Sequence, residues 1–170
     1  MCSPTTFDIA ENLVALTPLK SVTYTYSVPV VSHILGSLQG GCLFAKLDLA
    51  EAYQQLPVDE AMVAAQTIVT HQGAFKIKCL QFGVSVAPGI FQGVMEQTLK
   101  GIPGVCPYFD DVLITGENAE VLAEWLRAIL QRFRTVGLRL KKEKCKIGVE
   151  SMEFLGSTLM PMASIWQTQN

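Results

Sequence analysis

Between Ala119 and Val136, Val121, Leu122, Trp125, Leu126, Ile129, Leu130 and Phe133 fall on one stripe, the spacing of an amphipathic helix. Asn118 is placed to cap its start, Glu120 suits the positive end of the helix dipole, and Gly137 marks its stop. A second helix is predicted over Ala87–Leu99, with Pro88 tolerated in the first turn. Elsewhere the period falls to two. Phe75, Ile77 and Cys79 alternate with Lys76 and Lys78, the pattern of a half-buried strand over Ala74–Leu80. That strand pairs with Gln66–Thr70 across His71-Gln72-Gly73. Cys42–Leu49 reads as a mostly apolar strand, and Val105–Tyr108 with Val112–Thr115 as an apolar hairpin. Short strands are predicted near Arg139–Lys141, Lys146–Val149, Glu153–Leu155 and Ser157–Met160.

Ahead of these, Met1–Lys20 is weakly patterned. Tyr24–Val31 is extended and interrupted by Pro29, Val31–Leu38 is a short helix, and Gly40-Gly41 breaks the chain. The order strand, strand pair, helix, hairpin, helix, strands predicts an α+β fold, an antiparallel sheet with helices packed on one face. There is no internal repeat, and 170 residues suit one domain with a sizeable core.

Polar residues at the ends of those strands carry the chemistry. The hairpin tip reads Tyr108-Phe109-Asp110-Asp111, where a tight turn would ordinarily take Asn-Gly or Asp-Gly. Adjacent carboxylates repel and raise each other's proton affinity, so the doublet suggests either a cation site or a solvated acidic turn. A hard divalent ion such as Mg²⁺ is held by one or two carboxylates plus waters and phosphates. The strand ending at Asp48 supplies a further acid, whose simpler reading is an N-cap for Leu49–Tyr53. Together the two strand ends offer the donor set of a two-metal phosphoryl-transfer site.

Composition changes the picture little. Apolar residues make up 49% and charged residues 16%, and the net charge is −2, so no basic face advertises nucleic-acid binding. The five cysteines (Cys2, Cys42, Cys79, Cys106, Cys145) show no Cys-x-x-Cys pair and fit reduced thiols. No run of about 18 apolar residues suggests a membrane span and no signal peptide is evident, so the expectation is an intracellular protein without membrane partners. Cytoplasm, nucleus and a particle are not distinguished. His33 and His71 have no partner pattern and read as surface residues.

Five segments in order then resemble one family. Phe44–Leu56 (FAKLDLAEAYQQL) is similar to the first palm motif of reverse transcriptases from gypsy-type long-terminal-repeat retrotransposons. Leu80–Gln92 (LQFGVSVAPGIFQ) resembles their second motif, and Tyr108–Asp111 their Tyr-x-Asp-Asp box. Gly137–Cys145 resembles the fourth motif and Glu153–Gly156 the primer-grip hairpin.

The resemblance implies a polymerase palm and an RNA-directed DNA polymerase activity. Asp48, Asp110 and Asp111 become ligands for Mg²⁺, with Mn²⁺ as a substitute. Leu49 and Ala50 lie near the triphosphate, and Tyr53, five residues after Asp48, is an aromatic steric gate against ribonucleotides or a packed core ring. Phe82 and Gly83 contact nucleotide and template. Gln92 touches the template or lies on an exposed helix face, and Tyr108 packs near the primer terminus. Lys144 is a general acid for pyrophosphate, or one of four solvated lysines with Lys141, Lys142 and Lys146. The implied partners are an RNA or DNA template with primer, deoxynucleoside triphosphates and the rest of a Pol polyprotein.

Departures set boundaries. Glu11–Lys20 lacks the Lys/Arg hairpin expected ahead of the first motif, and Met160–Asn170 loses the pattern with no thumb or ribonuclease H region following. Residues 1–23 are therefore a lead-in, 24–159 a palm with partial fingers, and 160–170 a divergent tail. The expectation is a palm cut from a larger polyprotein and inactive by itself. A non-catalytic retroelement remnant is the alternative. A phospho-receiver domain is disfavoured, because its acidic pair precedes the single Asp on a parallel sheet.

Overall fold

The computed structural model describes residues 36, 38 and 40–161. The readings of 1–35, His33 among them, and of 162–170 lie outside the described residues. The first strand, β1 (Leu43–Asp48), leads into a 3-10 turn at Ala52–Gln55 and a short helix α1 (Glu60–Ala65). Next come the hairpin β2 (Thr67–Thr70) and β3 (Gly73–Lys76), then helix α2 (Ala87–Leu99). Strands β4 (Val105–Tyr108) and β5 (Asp111–Gly116) precede α3 (Ala119–Val136) and a 3-10 turn at Lys142–Lys144. The chain continues through β6 (Lys146–Val149), β7 (Met152–Phe154) and β8 (Ser157–Leu159).

Four strands form one antiparallel sheet in the order β4-β5-β1-β6. Alternation along the strands sorts the side chains by face. Ala45, Leu47, Val112 and Ile114 pack with Ile90, Phe91 and Met95 of α2 and Leu122, Ile129 and Phe133 of α3. Phe44 and Leu113 point the other way and bury against Met152, Phe154 and Leu159 of the β7–β8 hairpin. The predicted α+β sandwich is thus realised, with both helices on one face. α3 has the predicted bounds: Asn118 accepts from Val121 N–H at 2.9 Å, and Gly137 takes the left-handed conformation at φ 79°. At Gly116 a Cβ would stand 2.8 Å from the Leu122 backbone nitrogen, so glycine lets α3 lie close on β5.

Three local expectations are corrected, and one element is added. β3 stops at Lys76, and all four of its residues are exposed, so it is not a half-buried strand. Among the described residues no layer covers that hairpin. Burial resumes only where Leu80 N–H bonds to Leu56 C=O at 2.9 Å and seats Cys79 and Leu80 in the core. Arg139–Lys141 forms a single bridge, Leu49 with Leu140, because the chain closes into the Lys142 turn. α1 was not foreseen, although Asp59 caps it by accepting from Met62 N–H at 2.8 Å. Asp48 caps no helix; it is the last residue of β1. Among the described residues no helix is long and apolar enough to cross a membrane. Cys42, Cys79, Cys106 and Cys145 form no disulfide.

Candidate active site

The register of β1 against β5 sets Asp48 directly opposite Asp111. Both lie on the sheet face away from the helices, since they alternate with Leu47 and Val112 of the core. Asp110 is exposed at the turn before β5, and its carbonyl accepts from Leu49 N–H at 2.9 Å, tying that turn to the end of β1. Burial pushes the Asp111 carboxyl above the usual carboxylate range. The Lys46 ammonium opposes that shift, while the Asp110 and Asp48 charges add to it. Among the described residues no three ligating groups form a ready cage. Two carboxylates and a neighbouring third still suit an ion that completes its octahedron with waters and phosphates. The donor chemistry fits Mg²⁺.

Each inner acid has a protein cation beside it. Lys46 Nζ stands 2.7 Å from Asp111 Oδ2, and Lys144 Nζ 3.8 Å from Asp48 Oδ2. Lys46 was missed, although it sits two residues before Asp48 and so on the same strand face. Lys144 lies beside Asp48 and remains well exposed, which suits either of its two readings.

The hairpin tip is strained and held from below. Phe109 has φ 51°, a conformation that favours glycine. Gln92, expected at the template or on an exposed helix face, is instead buried at 1% exposure. Its Nε2 donates to Pro107 C=O at 2.8 Å and to Glu96 Oε1 at 3.1 Å, while its Oε1 accepts from Phe109 N–H at 2.7 Å. Burial of a polar side chain demands such partners. Gln92 is therefore not on an exposed helix face; it clamps the turn from within the fold. Tyr108 packs edge-on against Phe109 and Phe154, with centroids at 4.6 and 5.6 Å.

On the other side of the acids, Tyr53 is half-buried, edge-on to Phe91 at 5.3 Å and to Phe82 at 5.1 Å. Burial, and then the Asp110 charge, raise the proton affinity of its phenol, which keeps it neutral. Packing and gating are thus compatible: the ring leans on the core and borders the acids. Phe82 is 61% exposed, and Gly83 (φ 85°) opens onto free space. The amides of Leu49 and Ala50 are already engaged, with Asp110 C=O and Arg139 C=O respectively. Any contact of these residues with a triphosphate is therefore by closeness of the backbone, not by a free N–H. Gln55, unmarked in the sequence, is buried beneath this loop and bonds to Ala50 and Arg139.

Residues 3–159 match the family model described as reverse transcriptase (RNA-dependent DNA polymerase). An uncharacterized protein of Caenorhabditis elegans is 34% identical over 131 residues, covering 77% of this chain and 10% of that protein. The enzymatic polyprotein of Soybean chlorotic mottle virus is 33% identical over 135 residues, covering 78% of this chain and 20% of its own. The transposon Tf2-3 polyprotein of Schizosaccharomyces pombe is 28% identical over 134 residues, 77% of this chain and 10% of that one. The chain thus spans a tenth to a fifth of these relatives' length. The foamy viral protease-reverse transcriptase in complex with RNA/DNA hybrid superposes with TM-score 0.74 at 18% identity, over 81% of this chain and 19% of that one. The native prototype foamy virus protease-reverse transcriptase gives 0.73 at 22%, over 83% and 19%. These likenesses establish a palm-like fold.

Proposed function

The chain belongs to the reverse transcriptase family, and from that membership we propose that it forms the palm of an RNA-directed DNA polymerase. It would add deoxynucleotides to a primer 3′-hydroxyl on an RNA or DNA template, within a longer Pol polyprotein. The observation that carries this reading is Asp48 set opposite Asp111 with Asp110 at the adjoining turn. The gypsy-type assignment rests on the motif residues and is supported by the transposon polyprotein relative. Residues 24–159 make up the palm with part of the fingers, flanked by 1–23 and 160–170.

In this reading Asp48 and Asp110 would hold the divalent cation, and Asp111 stands beside them, paired with Lys46. Mg²⁺, or Mn²⁺ in its place, would lower the proton affinity of the 3′-hydroxyl and offset charge on the phosphates. The hydroxyl gives up its proton to water as its oxygen bonds to the α-phosphorus, the bond to the bridging oxygen breaks, and pyrophosphate leaves. Lys144, beside Asp48, donates a proton to that leaving group. Tyr53 crowds the ribose 2′ position, Phe82 and Gly83 face nucleotide and template, and Tyr108 supports the primer end. A non-catalytic remnant is not favoured, because the family match spans residues 3–159 and all three carboxylates are retained.

Mn²⁺ titration followed by paramagnetic NMR broadening tests the site. Broadening is expected first at Asp48, Asp110 and Asp111, and Asp110→Asn should remove it. Equal broadening at every surface acid would sink the reading.

A further inference from the structure

We propose that Gln55 is the positioning residue of the nucleotide side of this site, holding the loop after Asp48 against the backbone of Arg139. The proposal rests on the polymerase reading and names a part of the machinery that it lacks. Gln55 is 4% exposed, yet three of its four hydrogen-bonding capacities are filled by main-chain groups. Its Nε2 donates to Ala50 C=O and, at 3.0 Å, to Arg139 C=O; its Oε1 accepts from Arg139 N–H at 2.6 Å.

The side-chain amide thus presents itself to Arg139 as a neighbouring strand would, offering a donor and an acceptor together. A strand is missing there for a visible reason. Leu49 and Leu140 form an isolated bridge, flanked by Ala50 N–H to Arg139 C=O at 3.1 Å and Lys141 N–H to Asp48 C=O at 2.8 Å. The next residue, Glu51, turns away at φ 49°, a conformation that a side chain disfavours. Gln55, at the end of the following 3-10 turn, closes the gap.

Two functional side chains hang from what Gln55 joins. Tyr53 lies in the same 3-10 turn, two residues before it. Lys144 lies in the turn just after Lys141 and reaches Asp48. A residue that locks Ala50 to Arg139 therefore fixes both the gate ring and the ammonium relative to Asp48. Leucine at 55 would fill the space but leave the Arg139 N–H and Ala50 C=O without their partner.

The test uses the whole chain, with amide hydrogen exchange, Tyr53 ring chemical shifts and Mn²⁺ affinity read together. In Gln55→Leu, exchange at Ala50 and Arg139 is expected to rise on the order of tenfold. The Tyr53 ring resonances should move, and Mn²⁺ affinity should fall several-fold. Thr98→Val, which removes a buried hydroxyl bonded to Val94 C=O within α2, serves as a stability control. It should leave all three readouts in place. Gln55→Glu keeps the acceptor for Arg139 N–H and loses both donors, and provides a second variant should the leucine chain fail to fold. It should protect the Arg139 amide while the Tyr53 ring still moves. Unchanged exchange and an unmoved ring in the folded variant overturn the proposal, as do equal changes in Thr98→Val. Absence of Mn²⁺ binding in the unaltered chain would refute the polymerase reading instead, since exchange and ring shifts need no metal.

Discussion

Replacing Gln92 by leucine isolates the clamp under the acidic turn. Leucine has nearly the volume of glutamine, so the pocket between α2 and the hairpin stays filled, but the bonds to Pro107 C=O and Phe109 N–H are lost. A buried group left unpaired costs about 1–3 kcal/mol. Pro107 and Phe109 are only half-buried, so water can reach them and the low end applies, about 2 kcal/mol for the pair. Against this, Phe109 holds a left-handed backbone worth about 1–2 kcal/mol of strain, and part of that is released once the turn is free. The net loss is then about 1–2 kcal/mol, a fall in Tm of roughly 2–8 °C for a domain of this size. Circular-dichroism melting measures it, and hydrogen exchange of the Phe109 amide locates it. The expected signature is a modest drop in Tm with a large, local loss of protection at Phe109. An unchanged Tm with Phe109 still protected would refute the reasoning, as it would mean that the β4–β5 ladder alone fixes the turn.

Two further outcomes follow from the same geometry. Asp111 has a raised folded pKa, so the folded state keeps its proton longer than the unfolded chain does; its contribution is full below the unfolded pKa and is lost as pH rises through the folded one. Melting curves of Asp111→Asn should therefore lose less stability than the native sequence as pH climbs from about 4, and parallel curves would contradict the assignment. In a polymerase that extends primers with this palm, Tyr53→Val should raise ribonucleotide relative to deoxynucleotide incorporation; if both fall together, the ring serves packing alone.

The sequence made the framework legible where periodicity was strong. The bounds of α3, its Asn118 cap and its Gly137 stop agree with the structure to the residue, as do the bounds of α2 and β4, whereas Leu130 of the predicted stripe is exposed. Asp48 and Asp111 were readable as strand-end acids, because a strand's period of two fixes which residues share a face. The supporting shell was not readable in the same way. Gln55 and Gln92 look like any polar residue in a string, and their burial depends on which backbone groups lack partners after folding. Alternation also misled over Phe75–Cys79. It reports that two faces differ, not that a second layer exists to cover one of them.

The order of the sheet has a consequence for how the site comes into being. β1 is central, and both its neighbours, β5 and β6, are supplied by chain lying beyond α2. Closing such distant ends is costly in entropy and slow, so β1 leaves the ribosome with neither edge paired. Asp48 and Asp111 therefore remain apart until β5 and β6 have both been made. They meet only when the ladder that joins them, and the apolar burial on both sheet faces, form in the same step. Their mutual repulsion is thus met by an already cooperative structure, and loss of the site should track the unfolding of the whole sheet.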